Sequence, residues 1–431
     1  MSELKTVYLV DGSRTPFLTQ ATTVQGYSAL NLALHVSHSV LLGHSFHAQG
    51  LDAIITASTA CDGNVDLARE LGQRLGCLAN ISTISQTGDA AGLQALELAS
   101  QQIALDQKQL VLVGGVDVLQ LSGEKMGALT SWSQQWKKDS QSLTQKIRLP
   151  AFLQRTKSKP STDNISTTHT TTHALLEPNW LVKNKQWAEE KAIRHVITQD
   201  RMNEYAQLSR RRLQYSQRNS LIAALSPLFY RDGHVISRDM GGLTTDMVTL
   251  STTATTKEID PSNVLSDDCI APAAEGAAML LLASKESVIR YQLPVLATLS
   301  LPCWSHVSLA NNKLLASGHY VNQAVHDLLA DERLAMDEID YWECNEASAV
   351  DVLVAQQQCQ EDDAFALLHR VNVDGGVLAL GNAPTANSMR MLLQLAHTLK
   401  RSDAERGIVT ATISDGREFA LLLQHSHELV K

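Results

Sequence analysis

The stretch where this chain could do chemistry is Ile84–Ser100, ISQTGDAAGLQALELAS. Small and polar residues from Ser85 to Gly92 give way to Leu93, Leu96 and Leu98 among alanines. That pattern predicts a strand end, a tight turn and the start of a buried helix. Such a helix aims free N–H groups and the positive end of its dipole at the turn, so the turn suits an anion. Asp89 stands there. A carboxylate in that place serves either as a helix cap, worth about 0.5–2 kcal/mol, or as a base. Other reactive side chains are less well placed. His35, His38, His44 and His47 lie in or just after one helical stretch, but no carboxylate or cysteine completes a metal site with them. The six cysteines, Cys61, Cys77, Cys269, Cys303, Cys344 and Cys359, have no CxxC pairing. They read as buried reduced thiols rather than a zinc site or disulfide framework.

The elements that must position Asp89 follow from periodicity. Thr6–Val10 predicts a first strand and Asp11–Pro16 a turn. Tyr27 to Leu42 is helical; Leu51–Ala57, Ile81–Ile84 and Gln109–Gly115 read as strands, with helices over Asn64–Leu75 and Ala90–Ala104 between them. Strand alternating with helix at this spacing predicts an α/β fold, a mostly parallel sheet with helices on both faces. Thr198–Asn219 is a helix with Arg210, Arg211 and Arg212 towards its end. The second half repeats the first: strands at Val295–Leu301 and Ile339–Cys344, helices at Tyr320–Leu329, Ala347–Gln358 and Asn387–Leu399, and closing strands at Gly407–Ile413 and Glu418–Leu423. Turn-plus-helix units at Gly88–Leu98 and Gly381–Leu393 hold comparable places in the two halves. One reaction centre is expected where these two helix starts converge.

Between Ser131 and about Gln199 the composition changes. Residues 131–159 carry seven lysines and arginines against Asp139, with Trp132 and Trp136 four apart. This segment reads as a solvated helix or as a basic surface for an anionic membrane, a CoA phosphate or a partner. The stretch STDNISTTHTTTH after it, with His169 and His173, reads as a loop.

Composition narrows the function classes. With 431 residues, 44% of them hydrophobic, the chain can bury large cores. A net charge of −9 argues against nonspecific nucleic-acid binding, which needs a basic face. No apolar run approaches the roughly 20 residues of a membrane span, and the N-terminus lacks the apolar core of a secretory signal, so the expected compartment is cytoplasmic.

Four stretches in this order carry a family resemblance: VDGSRTPF at Val10–Phe17; NVDLARELG at Asn64–Gly72 with DAAGLQAL at Asp89–Leu96; NEASA at Asn345–Ala349; and VNVDGGVLALGNAPTANSMR at Val371–Arg390 with GIVTATISDG at Gly407–Gly416. They resemble the thiolase superfamily of acyl-CoA acyltransferases, closest to the β-oxidation complex type. The resemblance implies a duplicated fold of two βαβαβαββ halves, layered α-β-α-β-α, with an inserted cap. On it, residues 1–125 are the first half, 126–200 the cap, 201–288 the rest of the first half and 289–431 the second half. It further implies a nucleophilic cysteine at Asp89, a base histidine at Asn382 in a Gly-His-Pro turn, and a second cysteine at Thr412, with Asn345 assisting. Only Asn345, with Glu346, keeps the family's residue. The family's usual acid before the buried strand is Glu275 here.

These replacements bear on function. A carboxylate attacks a thioester far less readily than a thiolate, an asparagine has no proton to exchange near neutral pH, and an ordinary hydroxyl cannot replace a thiol. The expected protein is therefore a thiolase-like partner or binding subunit without thiolysis, with no cofactor beyond CoA or acyl-CoA as a possible ligand. The alternatives are acyl transfer, decarboxylation or hydrolysis through Asp89 and Asn345, or a thiolase using Cys344. The resemblance implies dimerisation along Ile81–Ser85, as a homodimer or with an active thiolase or other acyl-CoA enzyme.

Overall fold

The computed structural model describes residues 4–19, 27–46, 48–59, 66–77, 82–87, 90–119, 178–230, 233–240, 265–306, 322–358, 368–413 and 416–425. The chain divides into two units, Met1–Leu119 with Ala174–Lys431, and Gln120–His173. The second unit, and with it the basic segment 131–159, lies outside the described residues, as do His47, Cys61, Cys359 and Asp89.

In the first half, β1 (Val7–Arg14) and β2 (Leu18–Thr19) precede α1 (Ala29–Leu41), β3 (Ala53–Ser58), α2 (Leu67–Leu75), β4 (Ser82–Thr87), α3 (Ala91–Ala104) and β5 (Leu110–Asp117). Two helices follow, α4 (Pro178–Arg194) and α5 (Gln199–Arg218), then the short pair β6 (Leu228–Phe229) and β7 (Val235–Ile236), and β8 (Ala274–Ala283). The second half runs α6 (Lys285–Tyr291), β9 (Ala297–Leu299), β10 (Cys303–His306), α7 (Gln323–Glu332), β11 (Tyr341–Cys344), α8 (Ala349–Gln358), α9 (Val377–Leu380), α10 (Pro384–Ser402), β12 (Arg406–Thr412) and β13 (Arg417–Gln424). Local chemistry sets many boundaries. Ser28, Asp66, Thr198, Ser284 and Asn322 each accept an N–H of the first turn of the helix they precede. Pro384 opens α10, where its missing N–H costs nothing.

The strands form one sheet in the order β11-β12-β13-β9-β1-β8-β5-β3-β4. The sheet is mixed, which corrects the mostly parallel expectation. Only β3–β4, β3–β5 and β11–β12 run parallel, because β8 and β13 turn back to close each half and β1 meets β9 antiparallel between them. Read outward from the β1–β9 junction, one side is β8-β5-β3-β4 and the other β13-β12-β11, with Val371 bridging Trp342 in parallel where β4 would stand. The duplication expected from the sequence is thus visible in the strand order.

Alternating strand residues feed three cores. Val7 and Leu9 of β1, Ile55 of β3, Leu280 and Leu282 of β8 and Phe419 and Leu421 of β13 pack on α3 and α10. Tyr8, Val10, Ile54 and Leu281 face α1, α2 and α6 instead. Ile408, Ala420 and Leu422 face α4, α5, α7 and α8. The result is five layers, α-β-α-β-α, with α3 and α10 at the centre.

Two local differences stand out. The turn expected at Asp11–Pro16 starts later, because β1 continues through Arg14 after a bulge between Leu9 and Asp11. Arg14 is buried in a two-pronged pair with Asp239, at 2.7 Å on each prong, and that carboxylate also accepts the Phe17 N–H. The other difference is α4, in a stretch to which the sequence reading gave no element: Ala188 and Ala192 sit one turn apart on its buried side, and Lys191 reaches Asp351 of α8 at 2.7 Å. The α4 helix ends on Val196, held left-handed at φ 53° while Ile197 N–H closes back to the Ala192 carbonyl. A β-branched residue pays for that backbone, and Val196 is 81% exposed, so packing returns little. Val196→Gly is expected to raise stability by about 0.5–1 kcal/mol, read as a higher Tm.

Candidate functional site

The two central helix starts converge as expected. A Cβ added to Gly92 in the first turn of α3 would lie 2.6 Å from the Thr385 carbonyl oxygen and 2.7 Å from Ser388 Oγ. One added to Gly115 of β5 would lie 2.0 Å from the same carbonyl. Both glycines are there because the start of α10 passes against them.

Asn382 sits in this junction, buried, just before α10. Its N–H donates to Pro272 O at 2.6 Å and its carbonyl accepts Ala274 N–H at 2.9 Å, so the entry to β8 fixes its backbone. Its Oδ1 accepts from Asn387 Nδ2 at 3.0 Å. The turn before it needs Gly381 at φ 104°. Below this turn lies Asp117, which the sequence reading missed. Its Oδ2 accepts Thr385 N–H at 2.9 Å and Ala386 N–H at 3.0 Å, and its Oδ1 accepts Thr59 Oγ1 at 2.8 Å. An aspartate on the last residue of β5 thereby caps a helix of the other half. Burial pushes its carboxyl above the ordinary range while these hydrogen bonds pull the other way. The GGVD ending of β5 was the available signal, but its partner is far away in sequence.

Asn345 follows β11, its N–H on Thr410 O at 3.0 Å and its Oδ1 buried with no described partner. Glu346 is held from three sides: by the hydroxyl of Tyr205, by Ser209 Oγ at 2.8 Å and by Asn372 Nδ2 at 2.7 Å. Burial raises its carboxyl, opposed by those same three donors. It braces α5 against the 372–376 turn. Thr412 ends β12 opposite Glu418, and its Oγ1 is buried with no described partner. The α3 cap position falls on Ala90, which makes no side-chain cap bond.

Comparison with known proteins accounts for this arrangement. The thiolase N-terminal domain family matches residues 7–219 and the thiolase C-terminal domain family residues 297–425. The chain belongs to the thiolase family. Among curated relatives it is 21% identical to human mitochondrial 3-ketoacyl-CoA thiolase over 98% of this chain and 99% of that protein. Over 35% of each chain it is 33% identical to the acetyl-CoA acetyltransferase of Pseudomonas aeruginosa. The crystal structure of human mitochondrial 3-ketoacyl-CoA thiolase in complex with CoA superposes with a TM-score of 0.74 at 19% identity, covering 99% of both chains.

Within this thiolase fold, the other groups considered for chemistry have the following surroundings. The Cys344 thiol is pushed well above its ordinary range, by burial first and then by Glu346 and Glu343. A thiol so placed supplies no thiolate near neutral pH. Arg210 pairs with Asp268 at 3.2 Å, and Arg212 donates to the Leu368 and Val371 carbonyls. His35 meets Ser226 Oγ at 2.8 Å and His44 meets Asp11 at 2.7 Å; among the described residues no three His, Cys, Asp or Glu side chains are grouped to hold a metal. No helix among those residues is long and apolar enough to cross a membrane. Glu275 opens toward the end of β5, accepting Leu119 N–H at 3.5 Å, and burial pushes its carboxyl up to about 7.

Two outcomes follow from these carboxylates. Asp117→Ala is expected to lower stability by about 2–3 kcal/mol, because it strips two helix N–H groups and Thr59 of their acceptor; denaturant unfolding measures it. Glu275 binds its proton more tightly folded than unfolded, so its share of stability is full below its ordinary value of 4.5 and is lost as pH rises towards about 7. Glu275→Gln is therefore expected to gain on the parent across that window, by an amount on the order of 3 kcal/mol, in Tm measured as a function of pH.

Proposed function

We propose that this thiolase-family chain binds an acyl-CoA or a related thioester without cleaving it, and acts as a non-catalytic subunit beside an active acyl-CoA enzyme. The observation that carries the reading is the Asn387–Asn382 bond, at 3.0 Å, in the turn where the family resemblance places the base. An amide there offers hydrogen bonds but no titratable proton near neutral pH, so it orients a carbonyl without activating a nucleophile. Thr412 supplies a hydroxyl in place of the second thiol, and Cys344 stays protonated. Asn345, whose side-chain oxygen has no partner among the described residues, keeps a polar group a bound ligand could meet. That group also favours the second reading, in which Asp89 and Asn345 support acyl transfer, decarboxylation or hydrolysis.

Dimerisation is part of this proposal. Strand β4 is the last of the described strands on its side of the sheet, and its sequence STISQT holds no charge or proline to block pairing of its outer edge with a second strand. The pairing strand comes from a second copy or from a homologous active subunit.

Thiolysis of acetoacetyl-CoA by the purified chain is expected to stay at background, while CoA or acetyl-CoA raises its Tm in proportion to occupancy. Asp89→Cys/Asn382→His/Thr412→Cys is the comparison that restores the missing groups. Turnover or an acyl adduct on the unmodified chain overturns the non-catalytic reading; no Tm shift with either ligand overturns the binding one.

A further inference from the structure

The bond between Asn387 and Asn382 has a direction, and the direction decides what the turn offers a ligand. A carboxamide accepts at one arm and donates at the other. Two of them in contact bond in one of two ways, and each way leaves the opposite arms over. Here Asn387 Nδ2 donates to Asn382 Oδ1 at 3.0 Å. The arms left over are Asn382 Nδ2 and Asn387 Oδ1, the latter buried with no described partner.

Both residues are buried and their backbones are fixed. Asn382 is held at both ends by Pro272 and Ala274, and Asn387 N–H donates to the Ala383 carbonyl at 2.7 Å. The remaining freedom is rotation about the last side-chain bond, where an asparagine has two broad settings. Arg390 selects between them. It follows Asn387 by three residues on the buried side of α10, where such side chains are neighbours, while Asn382 precedes the helix, so the two flank Asn387 along the axis. Its guanidinium carries donors only and keeps its charge. Nη1 goes to Glu343 at 3.1 Å, and Nε and Nη2 have no described partner. Burial pushes the Glu343 carboxyl up to about 7, which weakens its compensation of that charge. In the poorly screened interior a positive charge on one side of an amide favours sending the NH2 end the other way, here to Asn382. The reverse setting turns donors towards donors.

We propose that Asn387, set by the charge of Arg390, is a positioning residue that holds the Asn382 carboxamide with its NH2 arm free, so that the turn takes a ligand through an acceptor, the carbonyl oxygen of a thioester. The inference rests on the acyl-CoA-binding reading and adds a preference to it: a thioester is held, and a CoA thioether, which lacks that oxygen, is held less well.

Calorimetric titration of the full chain with acetyl-CoA and with S-ethyl-CoA, which has a methylene in place of the thioester carbonyl, reads this preference. The parent is expected to bind acetyl-CoA at least about fivefold more tightly, the worth of one neutral hydrogen bond. Asn387→Asp keeps the shape and removes the donor. Its carboxylate, kept ionised beside Arg390, takes Asn382 Nδ2 and leaves Oδ1 free, so the preference is expected to fall below about twofold. A merely structural role for Asn387 weakens both ligands alike and keeps their ratio. Equal binding of the two by the parent, or a preference that survives Asn387→Asp, overturns the inference and leaves acyl-CoA binding standing; binding of neither overturns the binding reading itself. A neutron crystal structure of the deuterated parent decides the orientation without ligand or variant. Deuterons on the Asn382 arm that faces away from Asn387 are expected, and deuterons on the arm that faces it overturn the inference.

Discussion

One carboxylate with no contact with solvent ties the two halves of this protein together. Asp117 ends β5 in the first half and accepts two N–H groups from the start of α10 in the second. It costs free energy to bury, and the helix end repays it, because those N–H groups have no other acceptor and carry the positive end of a long dipole. The turn at Gly381–Ala383 is held between this cap and the entry to β8. Everything expected of the candidate site depends on where that turn sits.

Around the turn, polar groups are tied into hydrogen bonds and ion pairs. Asn382 is tied to Asn387, Glu346 to three donors, and Glu343 to Arg390. Amides and the protonated Cys344 thiol hold their charge state across neutral pH. Glu343 and Glu275, both raised to about 7, are the exceptions, and they lie on opposite sides of the junction between the halves. Thiolase architecture does not require thiolase chemistry: the frame depends on packing and capping, which these substitutions leave in place.

Much of the frame was legible in the sequence. The leucine spacing of α3 and the repeated order of turns and helices marked the elements and the duplication, since each depends on neighbours a few residues away. Sheet direction was not legible, because β8 and β13 read the same whichever way they pair. Asp117 and Thr59 escaped notice for a related reason. Their importance comes from Thr385, which only the folded chain brings near. Helix α4 was left unassigned, since PNWLVKNKQWAEEKAIR shows only a weak apolar stripe among its lysines and glutamates. The positions matching the family's reacting groups were found through resemblance alone, as nothing in the local pattern at Asn382 or Thr412 marks a site.

The first strand of the chain lies in the middle of the sheet, flanked by β8 and β9. Tyr8 is opposite Ala283 on one side and Thr298 on the other. During synthesis β1 therefore waits without its partners until β8 and β9, far along the chain, have been made, and must stay unaggregated meanwhile. The two halves, though repeats of one another, share one sheet: cutting between them strips β1 of its β9 flank.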